Sequence, residues 1–161
     1  DHYDPSSKVI RLSDDTYNSP SVAAVGVAAH ECGHVLQHHE GYVPLKIRTA
    51  LVPAANIGST LGIPLILIGI LLGASQVLIS VGIWVFALAV LFQLVTLPVE
   101  FDASCRAVRI LDSQGILTGT EVGQCRKVLH AAALTYVAAA AASILQLLRL
   151  VMLFGGGRRR D

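Results

Sequence analysis

The chain has 161 residues, enough for one domain, and 53% of them are hydrophobic while only 14% are charged. Soluble domains carry about a quarter charged residues, so this composition excludes an ordinary soluble enzyme and indicates an integral membrane protein. The formal net charge is +1, and because the basic residues are scattered we expect no nucleic-acid partner. The cysteines, Cys32, Cys105 and Cys125, are widely spaced and indicate neither a disulfide framework nor a thiolate zinc site.

The chain begins with a polar, turn-prone stretch that leads into a short apolar one. Residues 8–12 contain Val9 and Ile10 and predict a short strand. An edge strand beside an active-site helix could hold an extended peptide by main-chain hydrogen bonds. A strand that only covers the core explains the pattern equally well.

A helix is predicted next, from Ser19 and Pro20 to Gly41. Ser19 is a suitable N-cap, and Pro20 suits the first helical position because its missing N–H is not needed there. Gly41 fits the expected C-cap. The residues at the start of this helix are small and apolar almost all round, which predicts that the helix is buried.

Residues 30–34 of this helix read His-Glu-Cys-Gly-His and match the motif His-Glu-x-x-His. His30 and His34 stand four residues apart and therefore project from the same face of a helix. Zinc accepts imidazole nitrogens, and a catalytic zinc site usually has three protein ligands and one water. Glu31 can accept a proton from that water. His38 lies four residues further on and shares the ligand face, so it competes as a ligand.

A long uncharged segment follows the motif. Residues 49–99 contain no Asp, Glu, Lys, Arg or His, whereas a transmembrane helix needs about 20 apolar residues. The segment is therefore predicted to form a hairpin of two spans, at residues 54–72 and 77–97. Its small residues are expected where the two helices pack closely.

Two spans return the chain to the side that it left, where Glu100 is the first ionisable residue. His30, His34 and Glu100 are therefore predicted on one face of the membrane as the three zinc ligands. Glu100 and Asp102 differ by about 200° around a helix and cannot both face one metal. His38 lies about 12 Å along the axis from His30, too far for both to bind one ion.

Pro98 predicts a kink or a helix restart at the membrane surface. A charged helix should continue over residues 100–112, and Gly115 marks a turn. Residues 118–130 are predicted as a further short polar helix.

Residues 131–154 form a second apolar segment, interrupted only by Arg149. It is long enough to span a membrane, but its alanine-rich first half could equally pack against the active-site helix. Lys and Arg favour the cytoplasmic side, which predicts a cytoplasmic catalytic face from Lys46, Arg48, Arg106, Arg109, Arg126 and Lys127. A third span would place residues 158–160, all arginine, on the opposite side, against the same rule.

These segments together predict a single membrane-embedded domain over residues 1–161. The fold class is a mostly α membrane protein with a short N-terminal edge strand, a zinc-site helix and a second ligand helix. The parts are catalytic segments at 1–48 and 98–130, a transmembrane hairpin at 50–97 and a C-terminal apolar helix at 131–154.

Four stretches carry a resemblance to a known family: residues 1–5 (DHYDP), 28–48 (AAHECGHVLQHHEGYVPLKIR), 97–107 (LPVEFDASCRA) and 133–139 (ALTYVAA). In these the sequence resembles the YugP-like family of bacterial membrane zinc metallopeptidases. The resemblance implies a multi-pass protein of the bacterial cell membrane. It also implies a further transmembrane helix upstream of Asp1.

More distantly, the chain looks like the HtpX and CAAX prenyl protease group, whose transmembrane segments also fall between the zinc-binding helix and a later glutamate ligand. The second motif of that group is Glu-x-x-x-Asp, which aligns its glutamate with Glu100 and its aspartate with Ser104. Ser104 departs from the motif. The carboxylate that would orient a ligand histidine is therefore absent or supplied by another residue, such as Asp102.

The sequence thus predicts a zinc-dependent membrane endopeptidase with one Zn²⁺ per chain, a peptide or membrane-protein substrate and the lipid bilayer as surroundings. Glu31 is the predicted general base. Tyr136, His130 and Arg106 are candidate donors to the oxyanion of the tetrahedral intermediate. The alternative is a non-catalytic, zinc-stabilised membrane scaffold or metal carrier, in which His38 occupies the fourth coordination position.

Overall fold

The computed structural model describes residues 1–156, and most of this part of the chain is α-helical, which confirms the predicted fold class. Residues 158–160, whose side of the membrane was in question, lie outside the described part. The elements in chain order are β1 (His2–Asp4), β2 (Val9–Arg11), α1 (Asp14–Tyr17), α2 (Val22–Glu40), α3 (Val43–Leu71), α4 (Gln76–Ser113) and α5 (Thr120–Phe154).

The two strands form a small antiparallel hairpin in which Tyr3 pairs with Ile10. The strand predicted at residues 8–12 is confirmed as β2. The first strand, β1, was not predicted because its three residues are mostly polar. Its last residue, Asp4, accepts hydrogen bonds from Ser6 and Ser7 in the turn, and the bond from Ser7 lowers the pKa of the Asp4 carboxyl.

Helix α2 begins two residues later than predicted. Its N-cap is Ser21, whose hydroxyl accepts a hydrogen bond from the Ala24 amide at 3.2 Å. Ser19 instead donates to the Ser21 hydroxyl at 2.9 Å, so the prediction that Ser19 and Pro20 begin the helix was wrong. Gly41 is the C-cap, as predicted, with a left-handed φ of 68° that favours glycine.

Helices α3, α4 and α5 are each long and apolar enough to cross a membrane, judged by length and composition. Helix α4 continues through Pro98, so the chain does not restart there. A proline removes only one backbone hydrogen bond, and the long helix on both sides of Pro98 retains the rest.

Helix α5 also differs from the prediction. A short polar helix at residues 118–130 and an apolar helix at 131–154 were expected, but one continuous helix covers Thr120–Phe154. No glycine or proline separates His130 from the alanine-rich stretch that follows, and alanine is the strongest helix former. The turn predicted at Gly115 is confirmed by its φ of 66°.

The described chain divides into two compact units. The first, here called the site unit, combines Asp1–Lys46 with Leu97–Tyr136. Its apolar core is built from α2, α4, α5 and the turn before α5, and contains Ala29, Ala107, Val108, Leu111, Leu117, Cys125 and Leu129. The second, here called the apolar unit, combines Ile47–Thr96 with the chain from Val137 onward. Within it, Gly58 and Gly62 of α3 lie directly against α4, as the sequence predicted for its small residues.

Candidate metal centre

The centre begins with a close approach of α2 and α4 at Gly33. A Cβ atom at this position would collide with the backbone carbonyl of Ala103, so the observed separation requires glycine. His30 and His34 flank Gly33 on α2, and Glu100 lies one turn before Ala103 on α4. The contact therefore brings the carboxylate opposite the two imidazoles.

The three predicted ligands lie together. Nε2 of His30 is 3.1 Å from Oε2 of Glu100, and Nε2 of His34 is 3.7 Å from the same oxygen. One ligand atom from each residue lies within 4.8 Å of the others. Glu100 is only 3% exposed, and a buried carboxylate needs partners of this kind. Two imidazole nitrogens and one carboxylate oxygen are a donor set that suits catalytic zinc.

Each histidine has a partner on its other ring nitrogen. Nδ1 of His30 lies 3.1 Å from the Ser104 hydroxyl, and Nδ1 of His34 lies 2.9 Å from Oε1 of Gln37. Burial acts to lower the pKa of His34, but the hydrogen bond and charge of Glu100 outweigh it, so the pKa is raised. Such partners orient ligand histidines in metal sites.

These contacts show which side chains orient the two histidines where the sequence has Ser104 instead of an aspartate. The position aligned with the missing aspartate does contact a histidine, through a hydroxyl instead of a carboxylate. Asp102 reaches the centre indirectly, because its Oδ2 accepts a hydrogen bond from Gln37 at 2.8 Å. Sequence reasoning missed Gln37, although its position three residues after His34 places it on the same helix face.

Glu31 lies beside the centre. It is 7% exposed and lines a cavity of about 230 Å³ together with His30, Glu100 and Tyr136. Glu31 therefore borders the same space as two of the three candidate ligands, His30 and Glu100.

The three candidate oxyanion donors occupy different places. Tyr136 lines the cavity beside Glu31. His130 lines a separate cavity of about 390 Å³ and packs against the ring of Phe101, with a centroid distance of 6.1 Å. Arg106 forms ion pairs with Asp102 and Glu40, at 2.6 Å each. Of the three, Tyr136 therefore shares a cavity with the candidate ligands His30 and Glu100.

His38, the competing ligand on α2, lies apart from the centre. Its Nδ1 is 2.8 Å from the Tyr3 hydroxyl of β1, and it is not in the cluster formed by His30, His34 and Glu100. Asp102 is also outside that cluster. Cys32, next to Glu31, is a free and exposed cysteine, and partial burial together with the charge of Glu31 raises the pKa of its thiol.

Comparisons with known proteins indicate the family. Residues 1–155 match the family described as "Putative neutral zinc metallopeptidase". The chain is 51% identical, over 158 residues, to the "Putative membrane protease YugP" of Bacillus subtilis (strain 168), covering 98% of this chain and 70% of that protein. The resemblance to the YugP-like family is thereby confirmed. No solved structure matches the chain.

Proposed function

The chain belongs to the neutral zinc metallopeptidase family, and we propose that it is a membrane endopeptidase with one Zn²⁺ held by His30, His34 and Glu100. The observation that carries this proposal is the meeting of two imidazole nitrogens and a buried carboxylate oxygen within 4.8 Å. Its substrate is a peptide or a segment of a membrane protein, since helices of its own chain suit a bilayer and its cavity lies beside the candidate ligands.

Zinc, when bound, would polarise the scissile carbonyl and lower the pKa of a water molecule. Glu31 accepts the proton of that water and delivers it to the leaving amine. The Tyr136 hydroxyl donates a hydrogen bond to the oxyanion of the tetrahedral intermediate. Support for both roles comes from the cavity that Glu31 and Tyr136 line together.

The test compares two carboxylate variants of the purified full chain in detergent, with a quenched-fluorescent peptide library as substrate. We expect Glu31→Gln to lower hydrolysis by at least about 100-fold, the low end for general acid–base catalysis, and to keep one zinc per chain. We expect Glu100→Ala to lose zinc and hydrolysis together, because one of three ligands is removed. His38→Ala is the matched control, since it removes another imidazole of α2, and it should keep both.

Equal hydrolysis by Glu31→Gln and the parent would overturn the peptidase proposal. Loss of zinc from Glu31→Gln would show that Glu31 is a ligand and not the base. The non-catalytic scaffold needs a fourth protein ligand, and its candidate, His38, is hydrogen-bonded to Tyr3 instead. Tightly bound zinc in the parent without any hydrolysis would favour the scaffold.

We also propose that the protein crosses the bacterial cell membrane several times with its catalytic face in the cytoplasm. The basic residues near the ends of the apolar segments support this orientation. A single cysteine introduced by Ser75→Cys, in a background without native cysteines, should react with a membrane-impermeant thiol reagent outside intact cells. A cysteine introduced by Lys46→Cys should react only after the cells are opened. The reverse pattern would move the catalytic face to the exterior.

A further inference from the structure

Gln37 is a fully buried amide, 0% exposed, one turn after His34 on α2. Its Oε1 lies 2.9 Å from Nδ1 of His34. Its Nε2 donates to the Val99 carbonyl at 2.8 Å and to Oδ2 of Asp102 at 2.8 Å. Both ends of the amide are therefore satisfied, as a buried polar group requires.

The partners of Nε2 determine which way the amide points. A backbone carbonyl oxygen only accepts hydrogen bonds, and Oδ2 of Asp102 already accepts one from Nε of Arg106 at 2.6 Å. A flipped amide would place its carbonyl oxygen against two acceptors. The hydrogen-bond network thus assigns the NH₂ group to Val99 and Asp102, and Oε1 to His34.

The amide direction in turn determines the tautomer of His34. An amide oxygen only accepts, so Nδ1 of His34 must carry the hydrogen in this bond. In the neutral ring, Nε2 then has no hydrogen and presents its lone pair. Nε2 is the nitrogen that faces Glu100, at 3.7 Å, and a neutral nitrogen with its lone pair free is what a metal binds.

Two further residues hold the far end of this network. Arg106 donates from Nε to Asp102 and from Nη1 to Glu40, each at 2.6 Å. Its guanidinium also lies 5.6 Å from the centre of the Tyr42 ring. Asp102 is therefore held as an acceptor toward Gln37.

The setting of His30 provides a contrast within the same centre. Its Nδ1 faces the Ser104 hydroxyl at 3.1 Å. A hydroxyl can donate or accept by rotating its hydrogen, so Ser104 orients the ring without selecting its tautomer. Of the two Nδ1 partners, Gln37 therefore acts only as an acceptor, whereas Ser104 can donate or accept.

We propose that Gln37 is a positioning residue that locks His34 in the Nδ1–H tautomer, with Asp102 and Arg106 fixing the direction of its amide. The proposal rests on the proposed function, because it assumes that His34 binds the metal. Gln37 suits this role because an amide combines an acceptor at one end with two donors at the other. No other uncharged side chain of that length offers both.

The test uses the full chain in detergent and two measurements. The first is zinc affinity by competition with a chelator. The second is the ¹⁵N imidazole spectrum of the zinc-free protein at alkaline pH, with the His34 signals assigned by their loss in His34→Asn. Gln37→Leu should weaken zinc binding by about 10- to 100-fold, the usual effect of removing such a partner, and should convert His34 to a mixture of tautomers. Ser104→Ala is the matched control at His30, and it should leave the His34 tautomer unchanged.

A charge-conserving swap separates positioning from space filling. Gln37→Glu alone places a carboxylate against that of Asp102, and we expect it to weaken zinc binding. Adding Asp102→Asn restores a donor toward position 37 after a small rotation of the new amide, while the new carboxylate still accepts from Nδ1 of His34. The Val99 carbonyl still loses its donor, so the double variant should recover part of the affinity, together with the single tautomer.

Three results would overturn the proposal. One is an unchanged His34 tautomer and zinc affinity in Gln37→Leu, even with a lower melting temperature, which would leave only a packing role. Another is a double variant that binds zinc no better than Gln37→Glu. This comparison provides the test if Gln37→Leu does not fold. The third is an Nε2–H tautomer in the parent. A parent that shows the Nδ1–H tautomer but binds no zinc would instead contradict the proposed function.

Discussion

The site unit and the apolar unit use the same packing device with different results. In the site unit, Gly33 of α2 meets the carbonyl of Ala103 on α4, and in the apolar unit Gly58 of α3 meets the carbonyl of Val85 on α4. In both places a Cβ atom would collide with backbone. Ionisable side chains flank the first contact, whereas Ala89 packs beside the second. Close helix approach creates a chemical site only where the sequence supplies polar groups next to it.

The largest expected effect comes from Gly33→Ala. The new methyl group must push α2 away from α4, and a displacement of about 1 Å can cost about 100-fold in catalysis. We expect peptide hydrolysis to fall by at least about that factor, with weaker zinc binding by chelator competition. Gly123→Ala on α5 is the control. Apart from its chain neighbours and the backbone of its own helix turn, no described heavy atom lies within 4 Å of its added Cβ. Unchanged zinc affinity in Gly33→Ala would mean that the helix separation does not position the ligands.

The second effect, from Gly58→Ala, should appear in the stability of the protein and not in zinc binding. Gly58→Ala introduces a similar collision in the apolar unit, and overpacking of this kind costs about 1–3 kcal/mol. We expect a lower melting temperature in detergent while zinc affinity stays within about threefold of the parent. The ligands belong to the other unit, and residues without shared partners act nearly independently. If Gly58→Ala lost zinc as Gly33→Ala does, the contrast between the units would fail.

A smaller effect is expected at a glycine whose neighbour is a side chain. The added Cβ of Gly26→Ala would lie 2.8 Å from Sγ of Cys125, and strain there should destabilise the protein by about 1 kcal/mol. In a Cys125→Ala background the same change should be neutral or stabilising, because alanine is favoured over glycine in helices by about 1 kcal/mol. Chemical unfolding of the four proteins in this cycle measures the coupling. If the free-energy changes of the two substitutions are additive, the contact with Cys125 does not cause the destabilisation by Gly26→Ala.

The smallest effect concerns the hairpin formed by strands β1 and β2. Tyr3→Phe removes the hydrogen bond to His38 at the protein surface, and a bond of this type contributes about 1 kcal/mol at most when exposed. We expect a slight fall in melting temperature and no change in zinc affinity. A marked loss of zinc would return His38 to the list of candidate ligands.

Much of the architecture was accessible from the sequence because it depends on local properties. The uncharged stretch at residues 49–99 specifies apolar helices through hydropathy alone, and the left-handed backbone at Gly41 ends α2 through glycine's conformational freedom. The spacing of His30 and His34 follows from helix periodicity. Glu100 was predicted as their partner by following the chain across two spans, and the structure brings it beside them, while its binding of zinc stays a prediction.

The tertiary structure alone decided how each polar group is used. Arg106 was a candidate oxyanion donor by its residue type, but the crossing of α2 over α4 pairs it with Glu40, 66 positions away in the chain. The same crossing places Gln37 between His34 and Asp102, and Ser104 against His30. Hydropathy and periodicity describe one helix at a time, so they could not indicate these partners. The partners depend on the distance and rotation between two helices, which the packing at Gly33 determines.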